Sequence, residues 1–365
     1  MVEPLASADR EWMRRALVLA ARGWGRTAPN PMVGAVVVAD GRMVGEGWHR
    51  RYGAAHAEVE ALAAAGARAR GATLYVTLEP CNHQGKTPPC VDAILAAGIR
   101  RVVAATEDPH PVAAGGAARL RAAGVDVTVG VLARAARELD APFFHAAAGA
   151  IRPWVTLKLA ITLDGAIADA DGRSAWITGE WARRRVHRLR ANADAIAVGS
   201  GTALVDDPAL TVRDARRPRV PPLRVVFDRR LRMPPTSRLA RSARDVPVLV
   251  LAGPHPDAAT AAPLLAAGVE VVPTADLHDA LVQLRERGVR HLLAEGGAGL
   301  VGALLRNALV DRLIIFQSPR ILGAGARNAF AEVSPVPVTD ARPLRLIVRR
   351  ALGDDLMSVY ALEGR

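Results

Sequence analysis

Both cysteines of the 365-residue chain stand in one proline-crowded loop, LEPCNHQGKTPPC (78–90). Any fold of this sequence either brings Cys81 and Cys90 into a shared environment or leaves both thiols idle. Three chemistries use such a pair: a disulfide, a thiol-exchange couple, or a metal centre. The remainder of the chain bears on the choice.

No apolar run reaches the roughly 18–20 residues that span a bilayer. The stretch ALVLAA (16–21), between Arg15 and Arg22, is short for a signal-peptide core and suits an amphipathic helix. With 50% hydrophobic and 23% charged residues, the chain reads as globular and is expected in the cytoplasm, without a membrane partner. A structural disulfide is unusual there, and thiol exchange ordinarily uses C-x-x-C spacing. A catalytic zinc keeps three protein ligands and one open position. HAEVEAL (56–62), at the start of a helix-like stretch, offers His56 as the third ligand, with Glu58 two residues on. H-x-E followed by Pro80-Cys81 is the first part of the zinc deaminase signature, in which the glutamate moves protons and does not bind metal. Cys90 departs from the usual second half, C-x-x-C. It follows Pro89 at a helix start, where the helix dipole favours a thiolate.

The net charge of +12 raises the question of nucleic acid. Of 48 basic residues only Lys86 and Lys158 are lysine, and the arginines are spread through every segment. The densest cluster, ARRRVHRLR (182–190), has apolar positions at helical spacing and reads as a solvated helix face. No nucleic-acid partner is expected. The two lysines stand out as places where a compact ammonium is required.

At about 100–200 residues per domain, the length favours two. Helix and strand patterns alternate along the first part: helix 8–23, a hairpin over 32–48 around Asp40-Gly41, helix 56–65, strand 73–78, helix 88–98, strand 101–106, helix 117–124, strand 125–129 and helix 132–140. The small-residue stretch HAAAGAIRP (145–153) marks the boundary, giving domains 1–150 and 151–365. A second alternation follows: strand 154–165, helix 180–191, strands 194–199, 223–228 and 246–252, helix 258–267, strand 269–273, helix 276–287, strand 291–297, helix 299–307 and strand 311–318. Two α/β domains in tandem are expected. Gly297, Gly299 and Gly302 have G-x-G-x-x-G spacing between a strand and a helix, which suits a pyrophosphate at a helix N-terminus. No acidic residue follows at the distance of a Rossmann ribose ligand, and a plain strand–turn–helix junction would read the same.

PNPMVGAVVV (29–38), GWHRRYGAAHAEVEAL (47–62) and TLYVTLEPCNHQGKTPPCVDAI (73–94) resemble the deaminase half of the bifunctional deaminase/reductases of riboflavin biosynthesis, whose zinc signature carries this longer insert between its cysteines. KLAITLDGAIA (158–168), SAWITG (174–179), GSGTALVDDPALTVR (199–213) and AEGGAGL (294–300) resemble the reductase half. The resemblance implies a cytidine-deaminase-like domain followed by a dihydrofolate-reductase-like α/β domain, with one Zn²⁺ per chain and NADPH as cofactors. It implies His56, Cys81 and Cys90 as zinc ligands, Glu58 as proton shuttle, and Asn30, His49, His83, Lys86 and Thr87 around the first substrate. In the second half it implies substrate contacts from Lys158, Ser174, Arg190, Leu210, Arg213 and Glu295. NADPH contacts would come from Ala160, Trp176, Thr202, Asp206, Arg229 and the run Gly297, Ala298, Gly299, Leu300, Val301, Gly302, Ala303. The reactions implied are deamination of a diaminopyrimidine ribosyl phosphate, then hydride reduction of its ribosyl group to ribityl. The partners expected are phosphorylated pyrimidines and further copies of the chain. Thr162 and Asp140 depart from the family's usual serine and asparagine. The rival readings are a nucleoside or nucleic-acid deaminase with an accessory domain, and a binding protein retaining an inactive deaminase fold.

Overall fold

The computed structural model describes residues 7–85, 88–341 and 343–362. The chain divides into two compact units, Met1–Ala150 and Ile151–Arg365. No helix among the described residues is long and apolar enough to cross a membrane.

In the first unit, strands β1 (Gly34–Ala39), β2 (Arg42–Trp48), β3 (Thr73–Val76), β4 (Arg101–Ala104) and β5 (Asp126–Val129) form one sheet in the order β2-β1-β3-β4-β5. β1 is antiparallel to both neighbours, while β3, β4 and β5 run parallel. The β1–β2 turn is Asp40-Gly41, with φ of 48° and 70°, the positive pair that tight hairpins favour. Alternation along β1 fills two cores, as the two-residue period of a strand requires. Val36 and Val38 meet Met13, Ala16 and Leu19 of the helix Ser7–Ala20. Ala35 and Val37 face the other way, towards Ala57 and Ala61 of the helix Ala57–Ala65. That helix lies against β2 so closely that a Cβ on Gly47 would stand 2.5 Å from the Ala57 carbonyl oxygen. Its N-terminus, which carries His56 and Glu58, is therefore fixed to the sheet.

The second unit holds β6 (Trp154–Ile161), β7 (Ala166–Ala168), β8 (Ala195–Gly199), β9 (Leu223–Phe227), β10 (Val248–Ala252), β11 (Glu270–Pro273), β12 (His291–Ala294), β13 (Arg312–Gln317), β14 (Arg327–Asn328), β15 (Arg345–Leu352) and β16 (Asp355–Ala361). Nine of them make a sheet in the order β11-β10-β9-β8-β12-β6-β13-β16-β15, and β7 pairs with β14 separately. The sheet is parallel as far as β13, and the hairpin β15–β16 adds antiparallel strands at one edge. Again alternate residues serve opposite cores: Ala195 and Ala197 of β8 join Leu157, Leu292 and Leu304, while Ile196 and Val198 join Val226, Leu239 and Val250.

Three local readings change. The strand expected over 154–165 ends at Ile161, because a turn follows in which Thr162 Oγ1 donates to Asp164 and accepts from Ala166 N–H. A helix, Ala141–Ala147, runs into the start of the small-residue boundary stretch. The C-terminal hairpin β15–β16, turning at Gly353 (φ +65°), lies beyond the last strand read from sequence.

Candidate active sites

A strand, a loop and two helix starts build the first site. His56 caps the helix Ala57–Ala65, Cys81 follows β3 in the loop, and Cys90 opens the helix Cys90–Ala96 behind Pro89. His56 Nδ1 lies 3.2 Å from Cys90 Sγ and 3.5 Å from Cys81 Sγ, and the Cys90 amide donates to Cys81 Sγ at 3.4 Å. The three donor atoms all fall within 4.8 Å of one another. Neither cysteine is in a disulfide, and both are buried. Two thiols and an imidazole converging on one point are a donor set that zinc takes in catalytic sites, which keep a fourth position for water. The residues fit the metal. A hydrogen bond from the Cys90 thiol, opposed by burial and supported by His56, pulls the Cys81 thiol down to about 4. Its hydrogen bond to Cys81, with burial, pushes the Cys90 thiol up.

Glu58 sits in the first turn of the same helix and is buried. Burial raises its pKa, against the pull of His56. A carboxyl group whose pKa is raised holds a proton more readily, which suits one that takes a proton and hands it on.

Around this centre, His49 follows β2 and is 2% exposed, so its hydrogen bonds are internal. Nδ1 contacts the Ala55 carbonyl at 3.1 Å, and Nε2 contacts Asn30 Nδ2 at 3.3 Å. A carbonyl only accepts, so Nδ1 carries the proton and Nε2 accepts from the Asn30 amide. Burial, with His56 nearby, lowers the pKa of His49, in keeping with a neutral ring. Asn30 thereby offers its Oδ1 as an acceptor. His83 lies half-buried in the cysteine loop, its Nδ1 buried with no partner among the described residues. Lys86 and Thr87 lie outside the described residues. Sequence reasoning passed over Glu79, although it stands in the same L-E-P-C run. Its buried carboxylate accepts from Ala117 N–H at 2.8 Å and Asp108 N–H at 3.1 Å, anchoring the segment that lies against the cysteine loop.

The second site is a cavity of about 1840 Å³ within the second unit. Single-ligand pockets measure roughly 300–1,000 Å³, so this one has room for two molecules. It opens where the sheet's connections diverge. The helix Ser200–Asp206 after β8 leads outward to β9, while the helix Ala298–Arg306 after β12 leads to β13 on the other side. The crevice between such divergent loops is where open α/β sheets bind ligands. Gly297 N–H bridges it to Thr202 Oγ1 at 3.2 Å.

Lys158, Ala160, Ser174, Trp176, Arg190, Thr202, Asp206, Leu210, Arg213, Arg229 and Glu295 all line this cavity, with Gly297, Ala298, Gly299, Leu300 and Ala303. Val301 is wholly buried in the core, and a Cβ on Gly302 would stand 2.6 Å from the Glu332 carbonyl oxygen. Of the three spaced glycines, the third serves helix packing. A Cβ on Gly299 would meet nothing within 4 Å, and no side chain caps the helix Ala298–Arg306. Its free N–H groups suit an anionic ligand, and the residues fit a dinucleotide.

Charge concentrates beside it. Arg190 donates to both carboxylate oxygens of Glu295, at 2.6 and 2.9 Å. Burial alone would raise Glu295, but Arg190 and Lys158 outweigh it and hold the carboxylate at about 2. Burial lowers Lys158, with Glu295 opposing. Ser174 donates to Asp206 at 2.9 Å, and the Arg183 guanidinium lies 4.8 Å above the Trp176 ring. His187, Asp228 and Arg232 also line the cavity, and sequence reasoning missed them.

Comparison with known proteins agrees with this division of chemistry. The family model for the RibD C-terminal domain matches residues 153–356, and that for the cytidine and deoxycytidylate deaminase zinc-binding region matches residues 6–106. The riboflavin biosynthesis protein RibD of Escherichia coli (strain K12) is 42% identical over 364 residues, covering 95% of this chain and 98% of its own. That of Aquifex aeolicus (strain VF5) is 40% identical over 353 residues, covering 96% and 98%. The crystal structure of the diaminohydroxyphosphoribosylaminopyrimidine deaminase/5-amino-6-(5-phosphoribosylamino)uracil reductase of Thermotoga maritima superposes with a TM-score of 0.82 at 35% identity, covering 97% of this chain and 99% of that one. Similar along nearly its whole length to proteins that join both activities, the chain belongs to the RibD family, the bifunctional deaminase/reductases of riboflavin biosynthesis.

Proposed function

We propose that the unit 1–150 deaminates 2,5-diamino-6-(5-phosphoribosylamino)pyrimidin-4-one, and that the unit 151–365 reduces the product, 5-amino-6-(5-phosphoribosylamino)uracil, at its ribosyl group. The observation that carries this reading is the convergence of His56, Cys81 and Cys90 beside a buried Glu58. His56, Cys81 and Cys90 would hold zinc, which would supply water made acidic enough to serve as the nucleophile. Glu58 takes a proton from the attacking water and returns it to the departing amine as the C–N bond breaks, releasing ammonia. Asn30, oriented by His49, accepts a hydrogen bond from the pyrimidine. By the family resemblance His83, Lys86 and Thr87 would contact the substrate, with Lys86 at its phosphate.

In the second unit the cavity would hold NADPH, which would supply hydride for C1 of the opened ribosyl group, with the accompanying proton drawn from water. The Gly297–Gly299 turn and the helix behind it receive the pyrophosphate, with Thr202, Asp206 and Trp176 alongside. Arg213 binds the substrate phosphate, and Lys158 and Ser174 contact the ribosyl and ring groups. A nucleic-acid deaminase has no use for this second cavity. The test is incubation with the diaminopyrimidine ribosyl phosphate, following ammonia release and NADPH oxidation separately. Ammonia should appear without NADPH, and NADPH should be consumed only after deamination. Absence of ammonia release by metal-loaded protein overturns the reading.

A further inference from the structure

The segment carrying Leu210 and Arg213 has no regular secondary structure, yet it is held at four points, one through a side chain and three through its backbone. Asp207 Oδ1 accepts from Arg238 N–H at 2.7 Å, and the Ala209 carbonyl accepts from buried Arg224 at 3.3 Å. The Thr211 carbonyl accepts from Arg190 Nη1 at 3.1 Å. The fourth point is His187, whose Nδ1 accepts from the Arg213 N–H at 3.1 Å. A backbone amide only donates, so this bond exists only while Nδ1 is bare and the imidazole neutral. His187 is 8% exposed and lines the cavity one helical turn before Arg190. The bond lands on the residue whose side chain needs placing. Arg213 is exposed, and its guanidinium has no hydrogen-bond or ion-pair partner among the described residues.

We propose that His187 is a positioning residue of the reductase site: neutral, it holds the Arg213 backbone so that the guanidinium meets the substrate phosphate, and protonated, it releases that arm. The inference rests on the reductase reading of this cavity given above. The charged groups facing His187 are Arg190 on its own helix, Arg213 and Asp214 on the held segment, and Glu295 after β12. Burial, followed by the two arginines, lowers its pKa, with Glu295 and Asp214 opposing. That lowering favours the neutral ring, the form whose bare Nδ1 accepts from the Arg213 N–H.

The experiment is steady-state reduction of 5-amino-6-(5-phosphoribosylamino)uracil by wild type, H187L and H187N between pH 5 and 8. Leucine has no acceptor. The asparagine Oδ1 stands near the place of Nδ1 and does not titrate. H187L should raise KM for the phosphorylated substrate about tenfold, the worth of one well-placed hydrogen bond, with kcat nearly unchanged. H187N should recover most of that loss. The substrate phosphate itself titrates near pH 6 and gives every variant a shared acid rise in KM. Wild type should show a steeper rise than H187N, and the difference isolates His187. The KM for NADPH and the thermal midpoint report on the fold, and if H187L unfolds, the H187N pH profile decides alone. The proposal fails if H187N is as weak as H187L, if wild type and H187N share one acid profile, or if H187L loses kcat at unchanged KM. A wild-type protein that leaves NADPH untouched with this substrate refutes the reductase reading instead.

Discussion

Arg190 grips Glu295 through a two-pronged ion pair, Nε to Oε1 at 2.6 Å and Nη2 to Oε2 at 2.9 Å, and both side chains are largely buried. With Nη1 turned to the Thr211 carbonyl, this guanidinium is committed to the protein, whereas that of Arg213 is not. The two arginines, alike in sequence, should therefore respond differently to removal. Arg190→Ala strands a buried carboxylate and should cost about 3–5 kcal/mol of stability, read as a lowered denaturation midpoint. Arg213→Ala, at an exposed position, should change stability by less than about 0.5 kcal/mol. It should raise KM for the phosphorylated substrate at least tenfold, the reach of one charge-assisted hydrogen bond. The reverse order would exchange their roles.

Glu58→Gln keeps shape and burial but cannot accept a proton. Deamination should fall by roughly 10²–10⁴-fold, with zinc content intact because glutamate is not a ligand. Reduction of the already deaminated substrate should continue near the wild-type rate. A parallel loss of reduction in a folded variant would contradict two separate sites.

Cys81→Ser removes the thiol with the lowered pKa from the triad. Metal analysis of the purified protein should give about one zinc per chain for wild type and far less for the variant, with deamination lost. Retention of stoichiometric zinc by Cys81→Ser would rule out the triad as the binding site.

Asp140 is half-buried, accepts from Met32 N–H at 2.8 Å, and is pushed by burial up to about 7. In the unfolded chain it titrates near 3.8. Between these values the folded protein keeps a proton that the unfolded chain releases, so this group's contribution to stability falls as pH rises from about 4 to 7. Asparagine carries no charge and still accepts from Met32. Asp140→Asn should match wild type at pH 4 and exceed it by on the order of 4 kcal/mol at pH 8, measured by denaturant midpoints.

Arg229 follows β9 at the cavity rim and donates to the Ala275 carbonyl at 3.2 Å. If it reads the 2′-phosphate of NADPH, Arg229→Ala should raise KM for NADPH by about tenfold and leave NADH nearly unaffected. Equal losses with both cofactors would make it a tether of the Ala275 segment only.

The convergence of His56, Cys81 and Cys90 was legible because these residue types are scarce and lie close in sequence. Two cysteines, one H-x-E and a proline-led helix leave few alternatives. The hairpin at Asp40-Gly41 was legible for the same local reason. What depended on tertiary partners was not. His187 sits within an arginine-rich helix whose sequence reads as a solvated face, yet it is buried against the Arg213 segment. Arg224 interrupts β9 with a charge, and its burial makes sense only beside the carbonyls of Ala209, Ser242 and Val246 that it satisfies. β15 escaped notice because it is an edge strand, mostly exposed, with none of the continuous apolar character of β8 or β10.

The spacing of the two sites along the chain sets how each can assemble. His56 and Cys90 are 34 residues apart, joined through one helix, one strand and one loop. Arg190 and Glu295 are 105 residues apart and meet only after β8 and β12 have paired across the intervening α/β units. Closing the longer loop costs about 1 kcal/mol more chain entropy, and it is a non-local event of the kind that slows folding. A chain emerging from the ribosome can complete its metal triad while the reductase pocket still lacks one wall. In refolding, zinc capture should precede the return of NADPH oxidation.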